Sequence, residues 1–316
     1  MSVILIGAQD DPQIKDLRSA LHEREVAARV IDVPEWPGDA KLTLDLDNDS
    51  HRVIYDGEVV GDDLDAIYIR NLGLDARSSR FKDQLAEDPF ALLNRLEEYR
   101  GLVMSALEVL ESREGVAVVN PTSTLSIQYN KPTQFKTFTD HDVPVPETVT
   151  TNDPQAVRTF VDEHGAAVFK PVSGGGYARL LNANELEEES LELLADSPVQ
   201  FQQYVNGDSL RLYVLGGEVV AAGRILTEEI DYRTSEHDVE VIEPRDELTN
   251  AAIKATWALG LTFAAVEIID TGDEFVVLEA NPTPMFSVFD DLAGTDVAGE
   301  LAGFLASKPA ERGDAG

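Results

Sequence analysis

The sequence predicts an α/β domain of about 120 residues followed by a mixed α+β region. Three observations predict it. The chain opens as strand, helix, strand; from Pro121 it turns to short elements separated by Pro and Gly; and it closes on two apolar strands joined by a tight turn. Alternating strands and helices define the first class, and short strands with turn signals define the second.

The opening strand is Val3-Ile4-Leu5-Ile6, followed by an amphipathic run from Gln13 to Glu25 and a second strand from Ala28 to Val33. Gly7 to Pro12, between strand and helix, lacks the spaced glycines of a dinucleotide fingerprint. Short strands are expected at Leu42 to Leu46, Val53 to Tyr55 and Ala66 to Ile69. A long helix then carries Leu92, Leu93, Leu96, Tyr99, Val103, Leu107 and Leu110 at helical spacing, and Ala117-Val118-Val119 closes the domain as a buried strand. Beyond Pro121 a helix is expected over Ser126 to Asp140. Strands are expected at Ala166 to Pro171, Gln200 to Val205, Arg211 to Leu215 and Glu218 to Leu226. A last helix near Asn250 to Leu259, stopped by Gly260, precedes strands Phe263 to Ile269 and Glu274 to Glu279 around the turn Asp270-Thr271-Gly272-Asp273.

Composition narrows the functions. Acidic groups outnumber basic ones 59 to 25, a formal charge of -34 spread along the chain. Two readings compete: an anionic surface for basic partners, or adaptation to concentrated salt, where screening shortens the reach of self-repulsion. The scarcity of lysine, 8 against 17 arginines, favours salt and an extreme halophile as source. No basic stripe exists to neutralise phosphates along a nucleic acid. With no cysteine there is no disulfide, thiolate metal site or cysteine nucleophile. No stretch approaches the roughly 20 apolar residues of a membrane span, so a cytoplasmic protein is expected. The five histidines show neither ligand spacing nor a neighbouring serine elbow.

Two carboxylates interrupt the closing strands: Glu267 within Ala264 to Ile269, and Glu279 at the end of Phe275 to Leu278. A charge there is costly unless paired or metal-bound, so the two together point to one shared cation. Period-two alternation puts Asn281 on the face of Glu279. Two carboxylates and an amide oxygen form a hard donor set that suits Mg²⁺. A phosphate site is the second candidate. Lys170 ends a strand before the loop Val172-Ser173-Gly174-Gly175-Gly176-Tyr177, whose glycines let backbone amides approach an anion. An ordinary hairpin turn has the same composition, but a strand-embedded lysine in so lysine-poor a chain favours phosphate. Lys131, at the start of the helix carrying Phe135 and Phe138, reads by itself as a snorkelling surface lysine.

These motifs, in this order, resemble the ATP-grasp superfamily and within it the RimK-like carboxylate–amine ligases, over roughly Pro121 to Leu305. The resemblance implies an ATP-grasp fold preceded by a Rossmann-like domain at 1–120, with a central lobe at 121–205, a C-terminal lobe at 206–307 and a disordered tail at 308–316. Asn130-Lys131 and Phe169-Lys170-Pro171 are similar to the two phosphate lysines, with Ser173, Gly174, Gly175 and Gly176 as the lid. Gln202, Gln203, Tyr204 and Val205 match the hinge that holds adenine, and Asp208 stands near the ribose position. Arg211, Arg224 and Arg233 match arginines near the phosphates and the acceptor, and Glu267, Glu279 and Asn281 match the metal ligands.

The activity implied is ATP-dependent amide formation through an acyl phosphate, with Mg²⁺ or Mn²⁺. The partners implied are a carboxylate substrate and an amine acceptor (an amino acid, peptide or protein), with glutamate as one option and a homo-oligomer as the family's habit. Two alternatives keep the fold: a kinase that stops at a phosphorylated small molecule, and a nucleotide-binding regulatory module without turnover. Arg70, Arg77 and Arg80 in the first domain read as solvated ion-pair partners. His237 adjoins the acceptor loop without an assigned role.

Overall fold

The computed structural model describes residues 1–173, 176–182, 186 and 191–307. Gly174, Gly175 and the tail 308–316 lie outside the described residues. The chain forms two compact units: Met1–Thr122 with Met285–Ser287 and the segment from Asp296, and Ser123–Pro284 with Val288–Thr295.

In the first unit, β1 (Ser2–Gly7), α1 (Pro12–Glu23), β2 (Ala27–Asp32), β3 (Leu42–Leu46), β4 (His51–Tyr55), β5 (Glu58–Val60), β6 (Ala66–Ile69), α2 (Lys82–Glu87), α3 (Pro89–Glu111) and β7 (Ala117–Val119) follow in order. A parallel sheet runs β2-β1-β6-β7, and β3-β4-β5 form a separate antiparallel sheet. Val3 to Ile6 and Ala66 to Ile69 are buried on both faces, which explains why they read as unbroken apolar runs. The Asp11 side chain caps α1 by accepting from the Gln13 amide at 2.9 Å, with Pro12 in the first turn.

The second unit holds α4 (Lys131–Asp140), β8 (Thr148–Thr151), α5 (Pro154–His164), β9 (Ala166–Pro171), β10 (Arg179–Asn182), β11 (Val199–Gln203), β12 (Asp208–Leu215), β13 (Glu218–Leu226), β14 (Asp238–Val241), α6 (Asp246–Ala258), β15 (Phe263–Asp270), β16 (Phe275–Asn281) and α7 (Ser287–Ala293). Two antiparallel sheets result, β10-β9-β11-β8 and β14-β13-β12-β15-β16. Each buries one face. Val157, Phe160 and Val161 of α5 cover Ala167 and Phe201, while Phe135, Phe138, Leu248, Ala252 and Ala255 cover Leu212, Val266, Ile268, Val277 and Ala280.

The two sheets lie on either side of residue 205, within one compact unit. The C-terminal helix α8 (Val297–Ala306), expected with the last lobe, packs instead on α1 of the first unit. Its Val297, Leu301 and Leu305 are buried, as are Ile14, Leu17 and Leu21 of α1. Where the chain leaves β11 for β12, Gly207 lies against the β15 backbone: a Cβ there would meet the Asp270 carbonyl oxygen at 2.5 Å. Gly207→Ala is therefore expected to lower stability by about 1–3 kcal/mol, read from the urea midpoint, because a backbone atom cannot yield as a side chain would.

Candidate active site

The site begins with a register. On β15, Val266 and Ile268 face the core under α6, so Glu267 faces the other way; on β12 the same alternation pairs Arg211 with Glu267. Glu279 lies only two residues from the core-facing Val277 and in a regular strand would share its face. A bulge between Glu267/Ile268 and their β16 partners inserts one residue, so that Glu279 pairs with Glu267 while Val277 pairs with Ile268. Ala280 returns to the core, and Asn281 shares the face of Glu279.

Cations hold these carboxylates. The Lys131 ammonium donates to Glu279 at 2.5 Å, with both side chains about four-fifths buried, at 18% and 20% exposure. It is brought there by α4, whose Gln134 side-chain oxygen accepts from the Ala280 amide at 3.2 Å. Burial alone would raise the Glu279 pKa; Lys131, then Lys170 and Arg211, outweigh it and hold the carboxyl below its ordinary value. Arg211 is buried, stands 3.6 Å from Glu267, donates to the Tyr232 hydroxyl and lies over the Tyr213 ring at 5.5 Å. Its Nε has no hydrogen-bond partner among the described residues, a buried donor awaiting an anion. Burial pushes the Tyr213 hydroxyl up to about 12, so it stays neutral beside the guanidinium.

Lys170 reaches the site from the other sheet. Phe169 and Phe201 face α5, which turns Lys170 and its cross-strand partner Gln200 to the opposite face. Burial first, then the charge of Lys131, lowers the Lys170 ammonium to about 8, against the opposing pull of Glu279, Glu267 and Asp231. Gln202 on that face donates to Thr148 at 3.2 Å. Gln200 is fully buried with neither amide atom hydrogen-bonded among the described residues.

The loop after β13 adds a further element. Asp231 accepts from the Ala178 amide at 2.9 Å, from Arg233 Nε at 2.7 Å and from Arg233 Nη2 at 2.5 Å. Arg233 Nη2 also donates to the Gly176 carbonyl at 3.1 Å, and the guanidinium lies 5.3 Å from the Tyr177 ring centre. Burial would raise the Asp231 pKa, but Arg233 and the Ala178 amide hold it below the usual carboxylate range.

Of the residues expected from sequence, the structure gathers Lys170, Arg211, Glu267, Glu279 and Asn281 from the two sheets with Lys131 from α4, and Arg233 is held through Asp231 beside Gly176. Gln203 ends β11 with its amide on the Glu147 carbonyl at 2.8 Å; half-exposed Tyr204 and Val205 follow, and Ser173 is exposed after β9. Arg224 and Asp208 are not brought to the site. By alternation they share the α6 side of the sheet with Leu210, and Arg224 pairs there with Asp208 at 3.4 Å and Glu240 at 3.7 Å. The arginines of the first unit serve that unit: Arg70 pairs with Asp11, Arg77 with Asp75, and Arg80 donates to the Val33 carbonyl. His237 lies edge-on to Tyr232.

Sequence reasoning passed over Asp231, Tyr232 and Gln200. Asp231-Tyr232-Arg233 holds an acid two residues before a predicted arginine, the signal that could have found the first two. For Gln200 the only signal was an amide placed two residues before Gln202 in an alternating strand.

Two antiparallel sheets presenting lysines, arginines and paired carboxylates define the ATP-grasp class of nucleotide-dependent ligases. Residues 129–305 match the RimK-like ATP-grasp domain, and the chain belongs to that family. It is 26% identical over 315 residues to the tetrahydromethanopterin:alpha-L-glutamate ligase of Methanocaldococcus jannaschii, covering 95% of this chain and 97% of that one. A probable alpha-L-glutamate ligase of Vibrio vulnificus is 24% identical over 79% of this chain and 88% of its own. Among solved structures, the ATP-grasp ligase PsnB, complexed with a phosphomimetic variant of its minimal precursor, Mg and ADP, superposes with a TM-score of 0.86 at 31% identity, over 96% of this chain and 97% of PsnB. The macrocyclase MdnC of Microcystis aeruginosa, bound to its precursor peptide, shares the fold at 19% identity and a TM-score of 0.76, over 97% of this chain and all of MdnC.

The donor set fits Mg²⁺. No group of three His, Cys, Asp or Glu that could hold a metal occurs among the described residues. Two glutamates and Asn281 would thus leave the remaining positions to phosphate and water, as Mg²⁺ prefers. Because Lys170 titrates near 8, its charge is present below that pH and lost above it. ATP affinity should therefore fall between pH 7 and pH 9, by up to about tenfold. Lys170→Arg should flatten the profile in a calorimetric titration.

Proposed function

We propose that the chain spends ATP to join a carboxylate to an amine. The observation that carries this reading is the facing of Glu267 and Glu279 by Lys131, Lys170 and Arg211, four-fifths buried or more at the Lys131–Glu279 pair. Three cations, with Arg233 beside them, offset a local share of a chain whose net charge is -34, a placement that serves a polyanion. In the reaction, a substrate carboxylate oxygen attacks the γ-phosphorus and ADP leaves. The amine nitrogen then attacks the acyl carbon, inorganic phosphate departs from the tetrahedral adduct, and the amine gives up its proton. No bond to the protein forms.

Lys131 and Lys170 hold phosphate oxygens, with the backbone amides of Ser173, Gly174, Gly175 and Gly176 as further phosphate donors. Gln202 to Val205 hold adenine through their backbone. Arg211, whose Nε is without a partner among the described residues, and Arg233 orient the acyl phosphate and stabilise the charge that develops as it is attacked. Glu267, Glu279 and Asn281 would hold Mg²⁺, or Mn²⁺ on the same oxygen donors, and the ion would supply neutralisation of phosphate charge. Arg224 and Asp208, on the far face of the sheet, are left out of the machinery.

The substrates are amino acids or peptides, as the names of the relatives suggest, and the higher identity to PsnB, 31% against 26%, favours a peptide. No described helix is long and apolar enough to cross a membrane, and a cytoplasmic homo-oligomer is the form we propose.

Incubation with Mg·ATP and panels of peptides and amino acids should release ADP only when carboxylate and amine are both present. The product should lose the mass of one water for an internal cross-link or gain a glutamyl residue for glutamate addition. A stable phosphorylated product formed without amine would instead make the protein a kinase. Glu279→Ala should lower ADP release by a factor of 100 or more while ATP still binds through Lys170 and the hinge.

A further inference from the structure

The mechanism above uses Arg233 but says nothing of what holds it. An arginine has three rotatable bonds beyond Cβ, and a guanidinium that wanders contributes little to a transition state. Here the Nε and Nη2 edge is gripped by both oxygens of Asp231, at 2.7 Å and 2.5 Å. That two-point grip fixes the plane as well as the position of the group. Among the described residues nothing takes a hydrogen bond from Nη1, so the free edge is presented in a set orientation.

Asp231 is itself immobilised. Its side chain is 5% exposed, it caps the short turn it begins by accepting from the Arg233 amide at 3.2 Å, and it accepts from the Ala178 amide 53 residues away in sequence. The same turn points Tyr232 at Arg211, to which its hydroxyl is hydrogen-bonded. Three consecutive residues therefore set both guanidinium groups. Through Ala178 and Gly176, the carboxylate and its arginine also tie that turn to the segment leaving the glycine-rich loop.

We infer that Asp231 is a positioning residue for phosphoryl transfer, resting on the ligase reading above: it aims Arg233 at the group in flight and anchors residues 176–178 to the acceptor-side turn. As the neutral amide the residue would still cap its turn, since an asparagine oxygen accepts from the Arg233 amide, but its NH₂ would face the Ala178 amide and that tie would be lost. The amide cannot grip a guanidinium at both oxygens. Arg233→Gln leaves both backbone bonds to Asp231 in place, so comparing it with Asp231→Asn isolates the part of the aspartate's role that runs through the arginine.

The test uses the full chain and a readout independent of turnover: retention of Mg·ADP with and without orthovanadate, which occupies the place of the transferred phosphoryl group. Wild type should retain ADP more tightly with vanadate. Asp231→Asn should bind Mg·ADP as wild type does but lose about tenfold or more of the vanadate-dependent retention, matching Arg233→Gln. The double variant should be no worse than Arg233→Gln alone, because the aspartate acts through the arginine. Asp231→Glu should recover part of the loss. Once a substrate is in hand, kcat should fall with KM for ATP unchanged.

Vanadate retention within twofold of wild type in Asp231→Asn, or losses that multiply in the double variant, would overturn the inference. Should Asp231→Asn also lose Mg·ADP, Arg233→Gln decides, since wild-type retention there leaves the aspartate nothing to position. Absence of any vanadate effect in wild type would instead defeat the ligase reading.

Discussion

The second unit turns on the ion pair between Lys131 and Glu279. A carboxylate four-fifths withdrawn from water at the end of an apolar strand is tenable only with a counter-charge, and the counter-charge comes from the first residue of α4. That requirement fixes where α4 lies on β16, and the Gln134 bond to the Ala280 amide repeats the tie one residue along. The core formed by Phe135 and Phe138 follows from the same docking. A buried pair of this kind is poor evidence of net stabilisation, since apolar residues of the same size would pack at no desolvation cost. Its retention is better understood as keeping two charges poised for a third party.

Much of this was legible in the sequence for physical reasons. Alternation is a property of the backbone, so apolar strands interrupted by Glu267 and Glu279 announce a charged patch before any coordinates exist. Lys170 is readable because a lysine at the end of a buried strand needs a reason. The bulge is not readable. Nothing in Phe275 to Asn281 says that one residue is left out of register, and strict alternation from Val277 would have turned Glu279 into the core. The expectation that paired Glu279 with Asn281 was sound because both lie beyond the bulge.

Arg224 shows the opposite failure. It was selected by resemblance alone, and its position opposite Leu210 puts it on the α6 face, where Asp208 and Glu240 neutralise it. Order along the chain is not orientation on a sheet, and a one-residue slip reverses the face. Asp231 escaped notice for a different reason. In a chain with 59 acidic residues an aspartate on a loop carries no information, and only its long-range bond to Ala178 distinguishes it. Helical periodicity reports that a helix has an apolar face but not which element covers it, so nothing in residues 297–306 says that α8 packs on α1.

That helix has a consequence for how the protein can be divided. The first unit is assembled from three separated stretches of chain, the last beginning at Asp296, and its helix α8 packs on α1. All the residues gathered at the site lie before Asp296, so a fragment ending there would hold every chemical group discussed while leaving the side of α1 that α8 covers open to water. The two units therefore cannot be separated by a single cut in the gene. An N-terminal unit meant to exchange substrate specificity with a relative has to travel with its own C-terminal helix.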